Sequence, residues 1–214
     1  MKKIAIFIVC IFLLSACTKI NDTNYNDIIS NVVNSRYDVS NQYKTGYKYY
    51  APRGLSPIVS NDYNEVLSSS KYRYYLYVDV VSYYNRVIKD YKVDNNAYFS
   101  SIINFEDKYG YLEINKQDNK KYLVEIMYNY AKIEVMVEEC DLAASVTNSI
   151  IILSSIEYNN DILSSIIGDN ALEFNEETFN IFETKKKESN YLDVYTNDEN
   201  DDENSNADDP DLIK

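Results

Sequence analysis

Four strand-like runs, at about 97–105, 109–115, 121–129 and 131–138, follow one another with gaps of only a few residues. A parallel crossover needs a dozen or more residues, so runs spaced this closely must fold back on each other as antiparallel hairpins. A fifth run precedes them, YRYYLYVDVVSYY at 72–84, rich in β-branched and aromatic residues. It sets Tyr72, Tyr74, Leu76, Val78 and Val80 on one face. Because its other face is also largely apolar or aromatic, it reads as a central strand covered on two sides.

The period then changes. Asp141 is placed to cap a helix in which Leu142, Val146, Ile150, Leu153 and Ile156 form one apolar stripe. A second helix spans 161–167 and is closed by Gly168. Upstream, Ile28, Ile29, Val32 and Val33 share a face, which predicts a short amphipathic helix over 26–35. Between it and the fifth run, YKYYAPRGLSP reads as an extended piece broken by Pro52, Gly54 and Pro57. Weaker strands are expected at 172–183 and 190–195, joined by KKKES. The order of elements argues for an α+β fold, a single domain in which an antiparallel sheet (meander) has helices packed against it. At the level of topology this resembles the PsbP/Mog1-like sandwiches, in which a late helix covers a meander.

The chain opens with Met1, Lys2 and Lys3, continues with only apolar residues from Ile4 to Leu14, and reaches Cys17 through Ser15 and Ala16. A charged start, a short apolar run and small residues before a cut are the layout of a secretory signal. The run is too short to span a bilayer, which takes about 20 apolar residues. Leu14-Ser15-Ala16-Cys17 resembles the lipobox of bacterial lipoproteins. The resemblance implies cleavage before Cys17 and a diacylglycerol, with acyl chains such as palmitate, on its thiol. Two acyl chains anchor firmly where one is marginal. The expected divisions are a signal peptide at 1–16, the lipidated cysteine and tether at 17–25, the α+β domain at 26–195 and an acidic disordered tail at 196–214. The expected location is the extracytoplasmic face of the cell membrane.

Removing residues 1–16 from the 214 leaves 198, and loss of two lysines leaves 19 basic against 34 acidic residues, a balance near −15. That charge repels nucleic acid and anionic headgroups, so no nucleic-acid partner is expected. With Cys10 discarded and Cys17 acylated, Cys140 is left without a partner, as a small semi-buried residue flanked by Glu139 and Asp141. The chain has no histidine, which excludes Ser/His/Asp and Cys/His triads and HExxH zinc sites.

Asp79 is the one carboxylate inside the 72–84 run, where burial would raise its pKa and suit it to general acid work, although solvent or tyrosine hydroxyls satisfy such a group equally well. Glu134, Glu138, Glu139 and Asp141 form one acidic cluster, and Glu106 with Asp107 another; strand edges and helix starts want the same residues. Asp198, Asn200 and Asp202 imitate the start of a calcium loop, but Glu203 stands at its glycine position and Asp209 at its final glutamate. Tyr72, Tyr74, Tyr75, Tyr77, Tyr83 and Tyr84 offer stacking area for sugar rings or a protein, or simply core packing. Lys185–Lys187 read as a turn.

No catalytic residue, metal ligand or cofactor follows from these patterns, and Cys17 is the one site residue assigned. The expected function is that of a membrane-anchored lipoprotein with a binding or scaffolding role at the cell envelope, held by Cys17 and meeting a protein or glycan partner. The alternative is a cell-envelope hydrolase using carboxylates. A two-lobed solute receptor usually needs a longer chain.

Overall fold

A two-residue turn sets the register of the sheet. In the computed structural model, which describes residues 24–35, 39–61 and 63–168, Asn129 and Tyr130 both take positive φ, 54° and 60°. That is the backbone of a type I′ turn, whose twist matches the strands it joins. It is pinned on three sides. The Asn129 amide donates to the Ile156 carbonyl at 2.9 Å, the Asn129 carbonyl accepts from Tyr158 at 2.7 Å, and the Tyr130 carbonyl accepts from the Asp79 N–H at 2.8 Å.

The meander forms where the spacing predicts it. In chain order the strands are β1 (Gln42–Lys44), β2 (Tyr47–Tyr49), β3 (Ser56–Asn61), β4 (Asn64–Ser68), β5 (Arg73–Val78), β6 (Phe99–Phe105), β7 (Lys108–Lys116), β8 (Lys121–Tyr128), β9 (Ala131–Glu138) and β10 (Glu157–Tyr158). Seven build an antiparallel sheet of order β3-β4-β5-β9-β8-β7-β6, and β1-β2-β10 make a smaller one. The helices are α1 (Tyr25–Asn34), α2 (Val80–Asn85), α3 (Leu142–Ser154) and α4 (Asn160–Ile167). The architecture is α+β, with α1 and α3 against the antiparallel sheet.

Period-2 alternation gives the large sheet two unlike faces. Leu112 and Ile114 of β7, Val124 and Ile126 of β8, and Ile133, Val135 and Val137 of β9 are buried under α3. The predicted stripe of α3 is buried throughout, and α1 packs on the same helix with Ile29, Val32 and Val33 inward. Gly110 lets β7 and β8 approach: a Cβ there would sit 1.9 Å from the Met127 carbonyl oxygen.

Several expectations are corrected. The strand over 72–84 stops at Val78, because Asp79 turns the chain and caps α2. That strand is central, but among the described residues helices cover it on one side only, its other face bearing the half-buried Tyr75. Asp141 stands before α3, yet its side chain makes no cap bond and accepts from Tyr72 and Lys71 instead. Cys140 is exposed rather than semi-buried. No sequence pattern marks β3 and β4, since SPIVSN and NEVLS are short and largely polar; Pro57 and a bulge suit β3 to the edge it occupies. The signal and lipobox with Cys17, the strands at 172–183 and 190–195, Lys185–Lys187, the calcium-loop imitation and the acidic tail lie outside the described residues.

Candidate functional site

Hairpin register brings together residues that are far apart in sequence. On the sheet face opposite α3, the pairs Ser100↔Glu113, Glu113↔Glu125, Glu125↔Glu134, Glu134↔Tyr75, Tyr75↔Val66 and Val66↔Val59 form one row across all seven strands. The next row reads Ile102, Tyr111, Met127, Lys132, Tyr77, Asn64 and Asn61. Directly opposed side chains have Cβ atoms about 4.5–5.5 Å apart. Three carboxylates therefore stand side by side, with tyrosines beside them.

Each carboxylate is held differently. Glu113 accepts from Tyr91 at 2.5 Å and from the Asn115 amide at 2.7 Å, and the Tyr91 ring, carried in by the loop after α2, stacks on Tyr111 with centroids 3.9 Å apart. Glu125 accepts from Tyr111 at 2.5 Å. Glu134 is 4% exposed and accepts from the Lys132 ammonium at 2.7 Å. Burial pushes the Glu125 carboxyl above its ordinary range; Glu134 adds to this, and Tyr111 and Lys132 oppose it. One ammonium facing three acids favours retention of a proton at Glu125. Burial, with the neighbouring acids, likewise raises the Tyr91 and Tyr111 phenols.

Toward β3 the same face becomes apolar and hollow. A concavity of about 230 Å³ is lined by Val59, Asn61, Asn64, Glu65, Val66, Tyr75, Leu76, Tyr77, Lys132 and Glu134. Its volume is below the roughly 300–1,000 Å³ of sites for drug-sized ligands, which suits a single ring or side chain. Behind it Glu65, 2% exposed, accepts from Tyr47 at 3.0 Å and Tyr49 at 3.2 Å and pairs with Lys44 at 2.6 Å, tying the small sheet to the large one.

The residues singled out from sequence are dispersed. Asp79, 4% exposed, accepts from the Ser82 N–H at 2.7 Å and from Lys89 at 3.0 Å. Burial alone would raise its pKa, but the Ser82 and Lys89 hydrogen bonds outweigh it and the net displacement is downward. A carboxylate held ionised is no general acid, so Asp79 positions a helix. The cluster expected around Glu134 divides: Glu138 and Asp141 bind Lys71 at 3.1 and 2.7 Å, with the Cys140 thiol close by, while Glu134 points to the open face. Lys71 thus occupies the place a cation would take there. Glu106 and Asp107 form the β6–β7 turn. The tyrosines also separate: Tyr74 is in the core, Tyr75 and Tyr77 line the hollow, and Tyr83 stacks on Tyr158 at 3.7 Å.

Glu113, Glu125 and Lys132 were not singled out from sequence, although each holds an outward position on a predicted strand. Comparison with family models, curated proteins and solved structures found no match. Among the described residues no helix is long and apolar enough to cross a membrane.

Proposed function

We propose that the protein is a lipoprotein anchored through Cys17 at the extracytoplasmic face of the cell membrane, where its domain binds a protein or glycan partner on the open face of the large sheet. The observation that carries the binding part is the juxtaposition, on the face that no described helix covers, of the Glu113–Glu125–Glu134 row with the tyrosine-lined hollow. Apolar lining with a few converging polar groups and a perturbed carboxyl is the usual composition of a ligand site. The anchor is supported by the lysines, apolar run and LSAC of residues 1–17.

A carboxylate hydrolase at the cell envelope is the second reading, favoured by the raised carboxyl of Glu125 beside Glu134. Geometry disfavours it. Glycoside hydrolysis needs carboxyl groups held about 5 to 9.5 Å apart across a bound sugar, whereas these two stand side by side on adjacent strands of one sheet face. Binding of the full chain to purified envelope glycan and to envelope proteins, compared with Tyr75→Ala, tests the first reading: a saturable isotherm weakened about tenfold by the substitution supports it. Release of reducing ends that disappears in Glu125→Gln would replace it with the second.

A further inference from the structure

The point where the tether joins the domain coincides with a group of exposed cationic and aromatic side chains. From Cys17 to Asn24, which caps α1, the chain can extend about 25 Å at most. The next residue, Tyr25, packs edge-on against Phe99 with ring centroids 4.9 Å apart, so the tether meets the domain at the start of β6. Phe99 pairs with Ile114, two residues before Lys116, and the β7–β8 turn therefore lies at the same end of the sheet.

That turn carries Lys116, Lys120 and Lys121, all exposed, and among the described residues none of the three forms an ion pair. The Lys116 ammonium lies 5.9 Å from the centre of the Tyr122 ring, and the exposed Tyr98 meets the same ring edge-on at 4.8 Å. The loop before β6 adds the exposed Lys92 and Val93, held close because the Asp94 N–H donates to the Ser100 hydroxyl at 3.1 Å. Glu138 and Asp141 are already bound by Lys71. The exposed lysines outnumber the acids here that no lysine binds, Asp94, Asp118 and Glu139, although the chain beyond residue 16 as a whole is near −15.

We propose that this end of the sheet, centred on Tyr98 and the β7–β8 lysines, rests on a bilayer containing anionic lipid, so that the strands stand on the membrane and the Glu113–Glu125–Glu134 face stays open to partners. The proposal rests on the Cys17 anchor.

A bilayer fits both features of this surface. Tyrosine combines an apolar ring with a polar tip and concentrates at the membrane–water interface, and a lysine keeps its ammonium among the headgroups while its stem covers apolar surface. Each lysine close to an anionic surface strengthens partitioning about fivefold, an attraction that fades within about 8 Å at physiological salt. The acidic body stands beyond that distance when this end is down, whereas any other approach brings its charge against the headgroups. Lys108, at the other end of β7, is about 27 Å away by strand rise and reaches the surface only with the tether stretched along the domain.

The chain has no tryptophan, so Tyr98→Trp supplies a single reporter. Tyr43→Trp places one in β1 of the small sheet, whose β10 is fastened to the Asn129–Tyr130 turn at the opposite end. Each full chain, expressed in a bacterial host, is reconstituted in vesicles of brominated phosphatidylcholine with or without phosphatidylglycerol, and flotation and fluorescence are read together. In the anionic vesicles Tyr98→Trp should be quenched roughly threefold more than Tyr43→Trp, and adding Lys116→Gln with Lys121→Gln should remove about half of that quenching or more. High salt or omission of phosphatidylglycerol should do the same, and Lys108→Gln should leave the signal unchanged. Equal quenching at the two positions, or an equal loss from Lys108→Gln, in a chain that still floats overturns the docking surface and leaves the anchor standing. A chain that fails to float with phosphatidylcholine vesicles overturns the anchor, and the proposal with it.

Discussion

Glu125 and Glu134 face each other across β8 and β9, partners in a register fixed by the two-residue turn at Asn129 and Tyr130. Opposed like charges destabilise a sheet. The fold tolerates the pair because Lys132 engages Glu134, Tyr111 engages Glu125, and Glu125 holds its proton more tightly than a solvated acid does.

That arrangement sets a pH dependence. The folded pKa of Glu125 lies above its unfolded value, so its contribution to stability is full below the unfolded pKa and is lost as pH rises through the folded pKa. Glu125→Gln cannot ionise and escapes the loss. Thermal melts should place the variant a few degrees above the parent at pH 8, with the gap closing toward pH 4. A gap that widens on acidification contradicts the assignment.

Asp79 has the opposite sign. Its folded pKa is depressed, so its stabilisation is present above the unfolded pKa and is lost as pH falls through the folded one. Asp79→Ala removes a helix cap and the partner of Lys89, and should cost about 1–2 kcal/mol at pH 7. In denaturant titrations that difference should shrink as the buffer is taken below pH 4.

Gly110→Ala tests the closeness of β7 and β8. With the added methyl 1.9 Å from the Met127 carbonyl oxygen and 2.8 Å from the Tyr128 Cα, backbone must move rather than a side chain. A loss of roughly 1–3 kcal/mol is expected from overpacking. An unchanged denaturation midpoint would mean that the two strands are farther apart than described.

Val146→Asp and Leu153→Asp place a carboxylate where α3 is fully buried, whereas Asn148 is half-buried on another side of the same helix. Each of the first two should cost several kcal/mol, a large part of the roughly 5–15 kcal/mol that holds a domain together, and Asn148→Asp far less. Equal tolerance of all three would remove α3 from the core.

What was legible in the sequence followed from period and spacing. The meander strands, α1, the α3 stripe and the Gly168 stop all appear within a few residues of where hydrophobic pattern places them, because each buries one regular face. Asp79 and the strand ending depart from the sequence pattern for one reason: VVSYY is β-prone in composition, and a cap three residues ahead of the Ser82 N–H overrides that propensity. β3 and β4 carry little signal because β3 is almost wholly exposed and the buried Glu65 of β4 is held by Tyr47 and Tyr49, 18 and 16 residues away, and by Lys44. The carboxylate row was half visible, in outward positions on three predicted strands, but needed the Asn129–Tyr130 turn to align it.

Cys17 remains the residue on which the proposed location depends most directly. Intact mass and N-terminal sequencing of the full chain expressed in a bacterial host, in parallel with Cys17→Ala, measure it. The account predicts a mature protein that begins at Cys17, carries the added mass of a diacylglycerol and partitions into detergent, with all three lost in the variant. An uncut chain with an unmodified Cys17 thiol would contradict it.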